Sequence, residues 1–200
     1  MPPENQPATS LRERQKAKTR AAIQHEALRL FGEHGYEATT IEQIARAAEV
    51  APSTCFRYFP AKEDLVLSDD YDHLIIVALQ AQPADLGPVQ AVRRALRDAF
   101  AGLSQDELAD MHKRAQLALA VPELRAATLY RLTEAIQQIT ALVARQTLRP
   151  EDDFAVRNLA GAILGVMISA EFSWAEHPEG HDLAALLDDA LAHLESGLPL

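Results

Sequence analysis

Only one cysteine, Cys55, stands in the 200 residues. No intramolecular disulfide can form, and a reducing cytoplasm suits the chain. Cys55 itself falls at an inward helical position and is expected to pack as a small apolar residue. No run of 18 apolar residues occurs, so no membrane span is expected. The opening MPPENQPATS has no apolar stretch behind a basic head, which argues against a secretory leader. GxSxG, HExxH, a P-loop and any cysteine cluster are missing, so no catalytic residue, cofactor or metal is expected. His177 and His181 lie four apart, a spacing that could ligate metal on a helix. Pro178 and Gly180 between them make that segment a loop instead. Strand-length alternation of apolar and polar residues is absent as well, while Ala and Leu fill the stretches between breaks. The chain reads as all-α.

A net charge of −10 would by itself argue against nucleic acid, but the charge is unevenly placed. Residues 1–62 hold nine Lys/Arg against seven Asp/Glu, and residues 63–200 hold ten against twenty-two. The run RERQKAKTR gathers Arg12, Arg14, Lys16, Lys18 and Arg20. Screening over about 8 Å at physiological salt lets a small basic face act beside an acidic body. Arg12, Arg14 and Lys16 are therefore candidate phosphate contacts.

The most informative stretch is 39–65, TTIEQIARAAEVAPSTCFRYFPAKEDL. Ile41, Ile44, Ala45 and Ala48 recur at i, i+3, i+4 and i+7, one apolar stripe of a helix. Thr39 with Glu42, or Thr40 with Gln43, can close a capping box before it. Pro52 sits where a second helix would begin, a position at which its missing N–H costs nothing. In that second helix Cys55 and Phe59 face inward, leaving Ser53, Thr54, Arg57 and Tyr58 on other faces. A short helix held by apolar contacts and presenting hydroxyls and a guanidinium is what major-groove reading requires. Ser53 and Thr54 can reach base edges, Arg57 can fork onto guanine, and Pro52 can touch a thymine methyl. Arg46, exposed on the supporting helix, is a further candidate for phosphate.

The stretch from about Arg20 to Val66 resembles the DNA-binding domain of the TetR family of transcriptional regulators. The resemblance rests on EALRLFGEHGYEATT, IEQIARAAEV and TCFRYFPAKEDLV, and its aromatic-aromatic-Pro-x-Lys-Glu-Asp-Leu ending is far more specific than a generic helix-turn-helix. It implies that Thr40, Tyr58 and Lys62 clamp phosphates. Three positions depart from the family pattern. Glu49 stands where many relatives have Gly, and Ala51 where a Ser often caps the recognition helix. Phe56 occupies the place of a Tyr that would add a phosphate hydrogen bond.

Breaks and caps divide the chain into about nine helices. These are expected near 11–34, 40–49, 52–59, 62–80, 88–103, 105–120, 122–148, 150–176 and 182–197, with residues 1–10 a disordered lead-in. The expected organisation is a three-helix reader over 11–61 and a helical ligand-binding and dimerisation bundle over 62–200. Large residues on the body helices (Phe100, Met111, Tyr130, Trp174) and polar ones (His112, Gln116, Asn158) are candidate pocket residues. Gly161-x-x-x-Gly165 allows close helix approach, either within one subunit or across a dimer. Ile168, Phe172 and a leucine stripe including Leu187 and Leu191 extend that candidate dimer surface. DDFAVRNLAGAILG, 152–165, also resembles a C-terminal domain of actinobacterial family members, some of which respond to acyl thioesters. The resemblance implies a homodimeric, cytoplasmic repressor of a palindromic operator, released by a small effector, and the high apolar content of the body suggests that the effector is largely apolar. The alternative is a helical dimer that binds ligand or protein and carries a degenerate reader.

Overall fold

The computed structural model describes residues 11–68, 70–177 and 182–200. The lead-in and His181 lie outside them, as do the side chains of Arg14 and Tyr130. Among the described residues there are ten helices and no strand. They are α1 (Leu11–His34), α2 (Ile41–Ala47), α3 (Pro52–Tyr58), α4 (Asp64–Leu67), α5 (Asp70–Gln80), α6 (Pro88–Phe100), α7 (Gln105–Ala120), α8 (Pro122–Thr147), α9 (Phe154–Glu176) and α10 (Leu183–Glu195). They form two compact units, divided between Val66 and Leu67.

The first unit is built on the stripe of α1. Ile23, Ala27, Leu30 and Phe31 are all buried, at the i, i+4, i+7, i+8 spacing of a core-facing helix. Gly35 ends the helix at φ +87°, its N–H donating to the Phe31 carbonyl at 3.0 Å. Glycine reaches this left-handed conformation without the steric penalty other residues meet. The buried Thr39 hydroxyl then donates to the Gly35 carbonyl at 2.8 Å, fixing the path from α1 into α2.

The single helix expected over 62–80 is instead two pieces, α4 and α5, and this makes ten helices rather than nine. α4 is one tight turn whose N–H groups at 64, 65 and 66 bond carbonyls three residues back. Its exit is held from α8: Arg131 donates to the Leu67 carbonyl, and to the Ser68 hydroxyl at 2.9 Å. With that carbonyl engaged, the helical ladder does not run on through Ser68. Leu65 and Val66 are buried, and Gln24 of α1 donates to the Leu65 carbonyl at 3.1 Å. The first unit therefore extends past residue 61 and ends at Val66.

In the second unit the sequence boundaries shift at two more places. α6 stops at Phe100 rather than 103, and α9 starts at Phe154 rather than near 150. Asp153 caps α9, accepting from the N–H groups of Ala155 at 2.8 Å and Val156 at 3.3 Å. Ser104 and Glu107 close the expected capping box at α7. The core gathers Val92, Ala95 and Leu96 of α6, Leu142 and Val143 of α8, Val156, Ala160 and Ile163 of α9, and Leu187 and Leu191 of α10. α9 is long and apolar enough to cross a bilayer by length and composition, with 28% of its apolar window buried inside the protomer. The lack of an unbroken apolar run had suggested that no segment met that description. One face of α9 enters the core; the other is open, uncharged in its middle, and carries exposed Arg157, Glu171 and Glu176 toward its ends.

An ion network ties α6 to α10. Arg93 meets Asp188 through two hydrogen bonds, 2.8 and 2.7 Å, and Glu195 at 3.1 Å. Hydrogen bonding to Arg93 holds the Asp188 carboxyl below the usual range. Paired bonds of this kind are the stronger class of ion pair, though partial exposure screens them. Arg93→Ala is expected to lower unfolding free energy by about 1 kcal/mol. A group with a depressed folded pKa stabilises above its unfolded value, near pH 4, and loses that contribution as pH falls. Denaturation of the wild type and Asp188→Asn should therefore differ at neutral pH and converge as pH drops below about 4.

Candidate nucleic-acid interface

The interface begins at the cap of α2. The Gln43 N–H donates to the Thr40 hydroxyl oxygen at 3.3 Å, and the Thr40 N–H donates to the Gln43 side-chain carbonyl at 2.8 Å. Of the two possible capping boxes the 40/43 pair forms, since Thr39 spends its hydroxyl on the end of α1. Thr40 and Arg46 are exposed, while Ile44 and Ala45 are buried beneath them.

The turn into α3 is a Schellman motif. The Val50 N–H reaches the Ala45 carbonyl at 2.9 Å and the Glu49 N–H reaches that of Arg46 at 3.2 Å. Glu49 sits at φ +54°, the left-handed residue this motif requires. So the non-glycine residue adopts the strained conformation rather than avoiding it. At the start of α3, Ala51 supplies no side-chain cap, as its chemistry dictates.

α3 splits cleanly into two faces. Cys55 is 1% exposed and the adjoining Phe59 0%, and burial pushes the Cys55 thiol up in pKa. Pro52, Ser53, Phe56 and Arg57 are exposed, with Thr54 and Tyr58 half-buried. The Arg57 guanidinium lies 5.5 Å from the Tyr58 ring centre, a cation–π contact that limits its rotamers. The sequence reading treated Phe56 as a lost phosphate contact. The structure puts its ring, 49% exposed, one turn from Ser53 and beside Arg57. An apolar side chain there can meet a thymine methyl, and the helical spacing 53, 56, 57 was the available signal.

Two basic residues have intramolecular partners. Arg20 stacks over the Phe59 ring at 4.7 Å, bracing the recognition helix from α1. The Lys62 ammonium donates to the Tyr36 carbonyl, and to that of Glu37 at 3.4 Å. It also sits 4.4 Å from the Tyr36 ring centre. Burial pushes its pKa down, with Glu37 opposing. Lys62 thus ties down the turn that leads to Thr40. Arg12 and Lys16 are exposed on the first turns of α1.

In the second unit, His112 and Trp174 meet edge to face, with ring centres 4.6 Å apart. The His112 Nε2 is enclosed and has no hydrogen-bond partner among the described residues, and burial pushes the imidazole pKa down. Gln116 donates to the Ala175 carbonyl at 3.3 Å, so α7 and α9 bring three pocket candidates together. Phe100 and Met111 pack half-buried against the same core. Asn158 does not join them: it is exposed on the opposite side of α9. A surface cleft of about 240 Å³ opens elsewhere, between α6 and α10, lined by Arg93, Arg97, Asp182 and Asp188 among others.

The candidate dimer residues also divide. Gly165 and Phe172 are exposed, Gly161 and Ile168 half-buried. A Cβ at either glycine would meet nothing within 4 Å, so packing inside the protomer does not account for them. Leu187 and Leu191 are 1% and 0% exposed; they are core residues of α10 rather than interface. Their stripe is spent on α6 and α9.

Comparison with known proteins agrees with this geometry. Residues 23–68 match the family model described as bacterial regulatory proteins of the tetR family. Residues 86–199 match a second model, the MftR C-terminal domain. The regulator TcmR of Streptomyces glaucescens is 32% identical over 94% of this chain and 88% of its own length. The chain belongs to the TetR family of transcriptional regulators. The Mycobacterium tuberculosis regulator named MftR is 31% identical, over 80% of this chain and 82% of its own. Among solved structures, Thermus thermophilus FadR, a TetR-family repressor in complex with lauroyl-CoA, superposes with a TM-score of 0.57. It is 24% identical, covering 90% of this chain and 95% of its own.

For this TetR-family reader two substitutions separate base from positioning roles. Arg57→Ala should cost about 1–3 kcal/mol at the preferred operator and relax choice at one base position. Equal loss on operator and random DNA, measured by fluorescence anisotropy, would make Arg57 a backbone contact. Lys62→Met should speed amide exchange across residues 36–41 and weaken operator binding with the salt dependence unchanged. A salt slope reduced by about one unit would instead place the ammonium on a phosphate.

Proposed function

We propose that the chain is a homodimeric, cytoplasmic TetR-type repressor that leaves a palindromic operator when a small, largely apolar effector enters the second unit. The observation that carries the DNA half of this reading is the two-faced α3. Cys55 and Phe59 are buried and Ser53, Phe56 and Arg57 are presented together. Thr40, Arg46, Tyr58, Arg12, Arg14 and Lys16 then serve the phosphates, which set register while the α3 side chains set sequence. No residue is assigned a catalytic role.

The effector half is supported by chemistry of the α7–α9 contact. His112, Trp174 and the flanking Met111 offer one unsatisfied polar atom in apolar surroundings. A ligand site built this way recognises a mainly apolar molecule carrying one or few polar groups. FadR's lauroyl-CoA joins an apolar acyl chain to a highly charged carrier, and only its acyl chain matches such surroundings. Coupling to the reader passes along the chain at Leu67 and Ser68. Arg131 of α8 grips the Leu67 carbonyl and the Ser68 hydroxyl there, so movement of α8 is felt at the exit of α4. A continuous helical lever over 62–80 has no part in it.

The test uses Trp174, the chain's only tryptophan. Long-chain acyl-CoA, free fatty acids and other compounds with a large apolar part that raise the melting temperature are titrated while Trp174 emission is followed. Binders should change that emission, and saturating operator should weaken them by the same factor by which they weaken operator, typically 5- to 150-fold. Equal effector affinity with and without operator would remove induction from the account. A mobility shift on the chain's own upstream DNA tests the reader separately.

A further inference from the structure

The described part of the first unit carries the aromatic rings of Phe31, Tyr36, Phe56, Tyr58 and Phe59. A cation lies over all of these but one. The Lys62 ammonium is 5.8 Å from the Phe31 ring centre and 4.4 Å from that of Tyr36. Arg57 is 5.5 Å from the Tyr58 ring centre and Arg20 4.7 Å from that of Phe59. Phe56 is the exception: among the described residues no cation or second ring stacks on it. It is also the exposed member of the group, at 49%. At about 100° per residue, Arg57 points opposite the buried Cys55, and Ser53 and Phe56 share one flank of that outward line.

These three side chains make different demands on a base pair. Arg57 has donors alone and requires acceptors, which guanine supplies. The Ser53 hydroxyl donates and accepts, so it suits the O4 of thymine or the amino group of cytosine. The Phe56 ring offers neither donor nor acceptor, and what it can meet on a pyrimidine edge is the 5-methyl group.

We propose that Phe56 reads a 5-methyl group irrespective of the pyrimidine that carries it, so that this reader takes 5-methylcytosine in place of thymine. A site with cytosine at that position is then bound more tightly once the cytosine is methylated. The proposal rests on the reading of α3 as the base-reading helix and names a modification of DNA to which that helix responds. Thymine and 5-methylcytosine present the same methyl at the same place in the major groove. They differ at the 4-position, an acceptor in one and a donor in the other. Ser53, the polar side chain on the flank of Phe56, is satisfied by either. Phosphate is no rival occupant, since the ring has no hydroxyl to offer it. A single ring between a serine and an arginine is too small a patch for a protein partner.

The test uses the intact chain and the duplex it selects from random sequence. Thymines at each symmetric pair of positions are replaced by deoxyuridine, which removes the methyl and nothing else. The same positions are rebuilt as pairs with guanine that carry cytosine or 5-methylcytosine. Affinity is read by fluorescence anisotropy at fixed salt. Burial of one methyl corresponds to about fourfold in affinity, and to about fifteenfold over two half-sites. At one symmetric pair, thymine should exceed deoxyuridine, and 5-methylcytosine should exceed cytosine, each by that factor. Both ratios should fall to one in Phe56→Ala and persist in part in Phe56→Leu, which keeps an apolar side chain. Each ratio compares duplexes on one protein, so a general loss of affinity in a variant does not imitate the effect. A methyl effect that persists in Phe56→Ala, or none at any position in the wild type, overturns the proposal and leaves α3 as the reader. So does a deoxyuridine effect with no 5-methylcytosine effect at the same pair. A chain that selects no sequence overturns base reading by α3, and this proposal with it.

Discussion

A seven-residue helix cannot hold itself together in water, where nucleation costs more than one or two turns return. α3 (Pro52–Tyr58) is such a helix, and it has no side-chain cap. Its existence depends on Cys55 and the adjoining Phe59 being buried against the first unit's core. Every other feature of the reader follows from that constraint. α1 must supply a wall, which Ile23, Ala27 and Phe31 do. α2 must be fixed first, which the Thr40–Gln43 box and the Thr39 hydroxyl achieve. The Schellman turn at Glu49 then sets the angle at which α3 leaves α2. With the inward face committed to packing, the outward one is free to carry Ser53, Phe56 and Arg57 toward a groove.

The cost of this design is local strain, and the strain is placed at the turn. A left-handed non-glycine residue costs about 1–2 kcal/mol, and a missing cap about 1 kcal/mol. Arg20 stacked on Phe59 and Lys62 bonded to the α1–α2 turn oppose that loss with contacts from both sides. Basic residues near the interface therefore divide into two kinds. Arg20 and Lys62 have intramolecular partners that shape the reader, whereas Arg12, Lys16 and Arg46 stay exposed, as their proposed phosphate role requires.

Much of this was legible in the sequence. The stripe of α1, the capping box, Pro52 at the start of α3 and Gly35 as a helix stop each have a local cause within a few residues. What the sequence reading missed depends on partners far along the chain. The break between α4 and α5 follows from Arg131, 63 and 64 residues away, a contact no local pattern announces. Lys62 was expected to clamp phosphate, and its bonds to the carbonyls of Tyr36 and Glu37 were not legible because those acceptors are more than 20 residues back. Leu187 and Leu191 looked like a dimer seam because a leucine stripe does not declare which surface it covers. The same ambiguity put Asn158 among the pocket residues; one helix face differs from another only once the core is known.

The central claim is that exposed residues of α3 read sequence in duplex DNA, two copies at a time. The most direct measurement is enrichment of bound sequences from random duplex DNA by the intact chain at physiological salt. The account predicts an inverted repeat with half-site centres about 10 base pairs apart, or a multiple of that, as two readers on successive turns require. Recovery of no sequence preference, or of one unrepeated half-site, would contradict it.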